Sequence, residues 1–297
     1  MSQQLETDLP GGPRLSARCG SACLWQLAIL GVLCVWLYGP MLAHLVGQWW
    51  DDPNFSHGFF VPLFSVFVVW QERARLARQS PDPSWSGLLV LGFAACVLMV
   101  GQLGAELYLA RFSLLLVLAG LIVFFLGWNF FRAILFPWAF LILMIPIPAI
   151  IFNQITFPLQ LLASSLATAT LRMFGVPVLR DGNLIVLPQI TLEVAEACSG
   201  IRSLMSLVTV AVIYGFLAEK RLWVRWLLVI FSVPIAVAAN SIRIIGTGMA
   251  EQYWSVNKAD GVSHASWGWF IFVISLFMLY ALHGLIRKLW PEGPAAS

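Results

Sequence analysis

Charge is what this sequence has least of: Asp, Glu, Lys and Arg make up 10% of its 297 residues, where soluble domains carry about a quarter. With 60% hydrophobic residues and a mean hydropathy of +0.86, a soluble domain is excluded and lipid is the main solvent. An excess of one sign is missing too. A net charge of +3, scattered along the chain, is no nucleic-acid footprint, so no nucleic-acid partner is expected and the basic residues report topology instead. Paired cysteine is also absent. The five cysteines, Cys19, Cys23, Cys34, Cys96 and Cys198, form no disulfide framework, and Cys34 and Cys96 lie in apolar runs where a thiol acts as a small hydrophobe. After Cys19 and Cys23 comes no second Cys or His pair at zinc spacing, so neither a metal nor a cofactor is expected. Finally, no small-residue cleavage site follows the run Leu24 to Val46. That run is long enough to span a membrane and reads as retained.

What is present is a series of apolar runs of about the 20 residues that cross a hydrocarbon core. They lie near 24–46, 56–70, 86–103, 110–127, 132–152, 199–218, 222–245 and 264–286. A further stretch, 155–174, is interrupted by Gln154, Gln160, Ser164, Ser165, Thr168 and Arg172 and reads as interfacial or re-entrant. The expectation is an all-α polytopic membrane protein of about eight transmembrane helices. It divides into a cytoplasmic tail 1–23, a transmembrane domain 24–286 and a cytoplasmic tail 287–297. With the N-terminus inside, eleven of the seventeen basic residues fall on the cytoplasmic side, among them Arg73, Arg75, Arg78, Lys220, Arg221, Arg225, Arg287 and Lys288. Counting 155–174 as a span would place Lys220, Arg221 and Arg225 outside.

This topology turns residues 175–197 outward. Val178–Arg180 and Leu184–Leu187 flank the turn signal Asp181-Gly182-Asn183, and Ile190, Leu192 and Val194 alternate with Thr191 and Glu193. A small extracytoplasmic β-hairpin segment near 176–196 follows, delivering the chain into Glu196-Ala197-Cys198-Ser199-Gly200.

Ionisable groups at membrane depth are costly and point to function. Cys198 stands at the start of the helix 199–218, where free N–H groups and the helix dipole favour thiolate. Arg202 lies four residues on, on the same face. Arg243 ends the run 222–245 on the outward side, and His264 opens the last run after a polar loop, 251–263. Three helices thereby bring a thiol, a guanidinium and an imidazole to one depth. These are the parts of acyl transfer: a nucleophile, a proton shuttle and a cation for oxyanion charge. Each residue singly has a plainer reading, as a packing thiol, a snorkelling arginine or a capping histidine. His57 stands at the outer start of the second run, as an entrance residue or a cap, while His44 and His283 have no evident partners.

The motifs Asp52-Pro53-Asn54-Phe55-Ser56-His57-Gly58, Arg180-Asp181-Gly182-Asn183, Val194 through Ser203 around Cys198-Ser199-Gly200, and Asn240-Ser241-Ile242-Arg243 with the later His264 occur in order along the chain. In this set the sequence resembles the exosortase family of membrane cysteine transpeptidases. The resemblance implies a multi-pass enzyme of the bacterial inner membrane with its active site toward the periplasm. Its partners would be membrane-anchored proteins carrying a C-terminal Pro-Glu-Pro-type sorting signal, the bilayer itself and an unidentified acceptor nucleophile. The family's Cys, Arg and His map onto Cys198, Arg243 and His264, and Arg202, Glu196, His57 and Asn240 are expected to touch substrate or orient those groups. A rival class, a transporter or assembly factor for exopolysaccharide or lipid-linked precursors, would make Cys198 a packing residue. It lacks the duplicated, inverted halves that many transporters show.

Overall fold

The computed structural model describes residues 21–188, 190–194, 200–254 and 261–291. Among these, seven helices are long and apolar enough to cross a membrane: Ala28–Asp51, Pro53–Gln71, Ser86–Leu103, Leu107–Leu126, Ala149–Met173, Leu222–Ala250 and Gly268–Leu289. Two further apolar helices, Leu135–Met144 and Arg202–Ala218, are shorter. The protein is an all-α, multi-pass membrane protein with one small sheet. It folds as two compact units, one combining the chain up to Gly47 with Val66–Ala139, the other combining Gln48–Ser65 with the chain from Phe140 onward.

The first unit holds most of α1 (Ser21–Asp51), the end of α2 (Phe60–Gln71), α3 (Arg73–Leu76), α4 (Ser86–Leu103), α5 (Leu107–Leu126), α6 (Trp128–Ala133) and most of α7 (Leu135–Phe140). Its centre is the α4–α5 hairpin. Two glycines let these helices touch backbone to backbone: a Cβ at Gly101 would stand 2.6 Å from the Ala110 nitrogen, and one at Gly87 would run into the backbone of Phe124. Glu106 starts α5 by accepting a hydrogen bond from the Tyr108 N–H at 3.2 Å. Tyr38 of α1 packs with Leu98 and Ala110, its hydroxyl 2.9 Å from Ser113 Oγ.

The second unit contains a 3₁₀ turn, Pro53–Phe59, then another, Leu141–Met144, followed by α8 (Ala149–Met173), β1 (Leu179–Asp181), β2 (Leu184–Val186), β3 (Thr191–Glu193), α9 (Gly200–Ala218), α10 (Leu222–Trp254) and α11 (Gly261–Leu289). The strands form an antiparallel meander in the order β1-β2-β3. Asp181 pairs with Leu184, so Gly182-Asn183 is a two-residue connection. Gly182 takes a φ of +61° at the first position, where a type II′ turn wants glycine. The expected β segment is therefore present, and its inward residues Ile185, Leu192 and Val194 join Ala163, Ala167 and Leu171 of α8 and Ile244 of α10 in one core. A second core, around Leu207, Leu228 and Leu279, ties α9, α10 and α11 together.

Two expectations are corrected here. The run 132–152 is not one helix but is divided among α6, α7, a 3₁₀ turn and the start of α8. Pro146 and Pro148 cannot donate a backbone N–H, and each forces the residue before it out of the helical region; Ile145 accordingly sits at φ −88°, ψ 118°. The stretch 155–174, expected to be interfacial or re-entrant, belongs to the continuous 25-residue helix α8, which meets the length and hydropathy of a span. Thr156, Ser164 and Thr168 are buried in it, while Gln154, Ser165 and Arg172 are exposed. Thr156 Oγ1 donates to the Phe152 carbonyl at 2.8 Å and Ser164 Oγ to the Gly182 carbonyl at 3.0 Å.

At 33 residues and 1.5 Å rise, α10 is about 50 Å long, well beyond the ~30 Å of a hydrocarbon core. It continues past the expected end at 245 to Trp254, and α11 already begins at Gly261, so most of the expected polar loop 251–263 is helix.

Candidate functional site

Helix α10 carries the polar motif of the second unit. Ile244 is fully buried against the sheet and α8, which fixes the helix rotation. Asn240 and Ser241 are buried beside it, and Ser241 Oγ is spent on the Val237 carbonyl at 2.9 Å. Arg243 is half-buried. Its Nε and Nη2 are shielded from solvent and find no acceptor among the described residues, and neither does Asn240 Oδ1 find a donor. Asn240 and Arg243 are three residues apart and share a helix face. The guanidinium lies against α11 at Gly268, where an added Cβ would come 3.5 Å from Nη1.

Position 264 is in the first turn of α11, one helical turn before Gly268. The backbone thus places His264 on the helix that the Arg243 guanidinium touches, one turn from the point of contact. Cys198 and Glu196 lie outside the described residues, α9 being described from Gly200. Arg202, at the start of α9, is exposed and makes no hydrogen bond or ion pair among the described residues.

His57 sits in the 3₁₀ turn Pro53–Phe59. Asp52 opens that turn by accepting from the Asn54 N–H at 2.9 Å. Gly58 presses on the Trp49 indole, whose Nε1 donates to the Met144 carbonyl at 3.0 Å. Here a side chain is impossible, since a Cβ on Gly58 would collide with the indole ring. The turn packs against α9, and His57 Nδ1 is buried without a partner among the described residues. The structure therefore joins the Asp52–Gly58 motif to the helix that Cys198 precedes, and Arg243 to the helix that carries His264.

Sequence reading missed three polar clusters. A cavity of about 440 Å³ lies between α8 and the hairpin, lined by Ser165, Thr168, Arg172, Arg180 and Gly182; Arg180 Nε donates to Gly182 O at 2.9 Å and Ser164 Oγ at 3.1 Å. His44 does have a partner, Arg111 Nη2 at 3.1 Å. So does His283, with Tyr214 Oη at 2.7 Å and Glu219 Oε2 at 3.3 Å. These partners stand more than sixty residues away in sequence, beyond any local pattern.

The family model described as transmembrane exosortase matches residues 49–281, more than three quarters of the chain. The chain belongs to the transmembrane exosortase family. No curated protein and no solved structure matches it. The matched region of this exosortase spans the 3₁₀ turn with His57, the sheet, and α9 and α10 with Arg202, Asn240 and Arg243, and it includes positions 198 and 264.

Proposed function

We propose that this exosortase is a membrane cysteine transpeptidase that cleaves C-terminal Pro-Glu-Pro-type sorting signals of exported proteins at the outer face of the bacterial inner membrane. The observation that carries the reading is the half-buried guanidinium of Arg243. Its Nε and Nη2 lack an acceptor among the described residues, and it rests one turn from His264. Forked donors held out of water match an oxygen that gains negative charge during reaction.

In this mechanism the Cys198 thiolate attacks the scissile carbonyl carbon. The C=O electron pair moves onto oxygen, where Arg243 donates to it. Collapse of the tetrahedral intermediate breaks the C–N bond, His264 gives its proton to the leaving amine, and a thioester to Cys198 remains. A second nucleophile, deprotonated by His264, attacks the thioester and restores the thiol. The substrate's own helix confines it to the bilayer, so its motif arrives at the right depth by two-dimensional diffusion. Glu196, Arg202, His57 and Asn240 serve as substrate-contacting or orienting groups.

The test is co-expression of a tagged Pro-Glu-Pro-type substrate with wild-type protein and with Cys198→Ala, reading the substrate's mass. Wild type shortens the substrate and the variant leaves it whole while remaining in the membrane fraction. Equal processing by both removes Cys198 from the mechanism.

A further inference from the structure

The first unit contains a buried cation that the proposed chemistry does not use. Arg111 is 3% exposed and lies five residues into the apolar helix α5. Its Nη2 contacts His44 Nδ1 at 3.1 Å, while its Nε is buried with no partner, among the described residues. Arginine carries donors only, so His44 Nδ1 is the acceptor in this contact. The nearby hydroxyls are committed elsewhere: Ser113 Oγ to Tyr38 and to the Ala110 carbonyl at 2.7 Å. The described residues place no carboxylate within 4 Å of Arg111; Glu106 acts on it electrostatically from beyond that distance, and its Oε1 caps α5. A positive charge thus sits inside an apolar helix pair with His44 as its one hydrogen-bonding partner among the described residues, a costly situation unless an anion compensates it.

Beside it is a cavity of about 370 Å³ between α1 and the α4–α5 hairpin. Leu37, Met41 and Leu98 give it an apolar wall, and His44, Gln102 and Arg111 a polar end, with Glu106 at the rim. Leu37 and Leu107 on its border are about half exposed. An apolar slot ending in a buried guanidinium that no carboxylate pairs with directly is complementary to an amphiphile with a negative head.

We propose that this cavity binds an anionic phospholipid, its phosphate accepting from Arg111 and its acyl chain lying along Leu37, Met41 and Leu98. The site is separate from the Cys198 chemistry and stands or falls without it.

The test uses full-length protein in dodecylmaltoside micelles, titrated with phosphatidylglycerol, with phosphatidylcholine and with inorganic phosphate, and followed by native mass spectrometry and thermal shift. Phosphatidylglycerol binds and stabilises wild type. Arg111→Met, which keeps the volume and removes the charge, binds it roughly tenfold more weakly or worse. Leu37→Trp, a change at an exposed rim position, blocks the slot without touching the cation and serves where Arg111→Met does not fold. Glu106→Gln retains a capping acceptor and removes the one nearby negative charge, so it tightens binding. Equal affinity of wild type and Leu37→Trp or Arg111→Met, equal retention of phosphatidylcholine, displacement of the lipid by millimolar phosphate, or weaker binding by Glu106→Gln would each overturn the proposal.

Discussion

Glu219, between α9 and α10, is 3% exposed and is held by several donors at once. Arg221 Nη2 reaches its Oε2 at 3.0 Å and Arg221 Nε its Oε1 at 3.2 Å. The Lys220 and Arg221 N–H groups donate to Oε1 at 2.8 and 3.0 Å, and His283 Nε2 lies 3.3 Å from Oε2. The Arg221 side chain is the largest influence; burial opposes it, and the other donors add to it. Together they push the carboxyl down to about 2 from an ordinary 4.5. A folded-state pKa below the unfolded one contributes stability that is complete above pH ~4.5 and is lost as pH falls toward 2. That difference amounts to about 3 kcal/mol, of which about 2 are gone by pH 3. Glutamine at this position keeps an acceptor for the two backbone N–H groups but cannot pair with the Arg221 fork. Glu219→Gln should therefore lose about 2–3 kcal/mol at neutral pH and show a flatter acid limb than wild type. Reversible unfolding in mixed detergent and SDS micelles, repeated from pH 7 to pH 3, measures both. A variant within about 0.5 kcal/mol of wild type, or a wild type whose stability does not change between pH 5 and pH 3, would show that the network is electrostatically idle.

Arg243→Lys keeps the charge but loses the planar fork, so substrate processing should fall by about two orders of magnitude with membrane insertion unchanged; near wild-type turnover would mean that a point charge suffices. Gly268→Ala meets Arg243 Nη1 at an ordinary 3.5 Å and should be tolerated, whereas Gly268→Leu should displace the guanidinium and abolish processing, both read by the substrate-mass assay. Gly101→Val forces a side chain into the Ala110 backbone, and the α4–α5 hairpin should lose about 1–3 kcal/mol or more, seen as a lower thermal midpoint in detergent. Gly182→Val places a β-branched residue at φ +61° and should cost about 1–2 kcal/mol with the helices intact, measurable as selective protease sensitivity of the hairpin.

The membrane class, the helix-rich architecture and the β meander were legible in the sequence because each rests on local pattern. Long apolar runs need only length and composition, and Asp181-Gly182-Asn183 between alternating residues encodes its turn through one glycine. Apolarity could not tell a continuous helix from a broken one. The run 132–152 is interrupted by Pro146 and Pro148, a break that the prolines themselves signal, while 155–174 is one helix in which Thr156 bonds locally to Phe152 and Ser164 reaches the distant Gly182 carbonyl. The ordered motifs likewise pointed to the exosortase family, and the family match over residues 49–281 agrees.

By itself, then, the sequence determined the solvent, the helical class and the identity of the polar residues, since hydropathy and turn chemistry act over a few neighbours. Only the tertiary structure decided which polar groups meet. Polar groups inside an apolar bundle meet partners from distant segments, His283 with Tyr214 and Glu219 and Arg111 with His44, and the same packing sets Arg243 against Gly268 of α11 and His57's turn against α9.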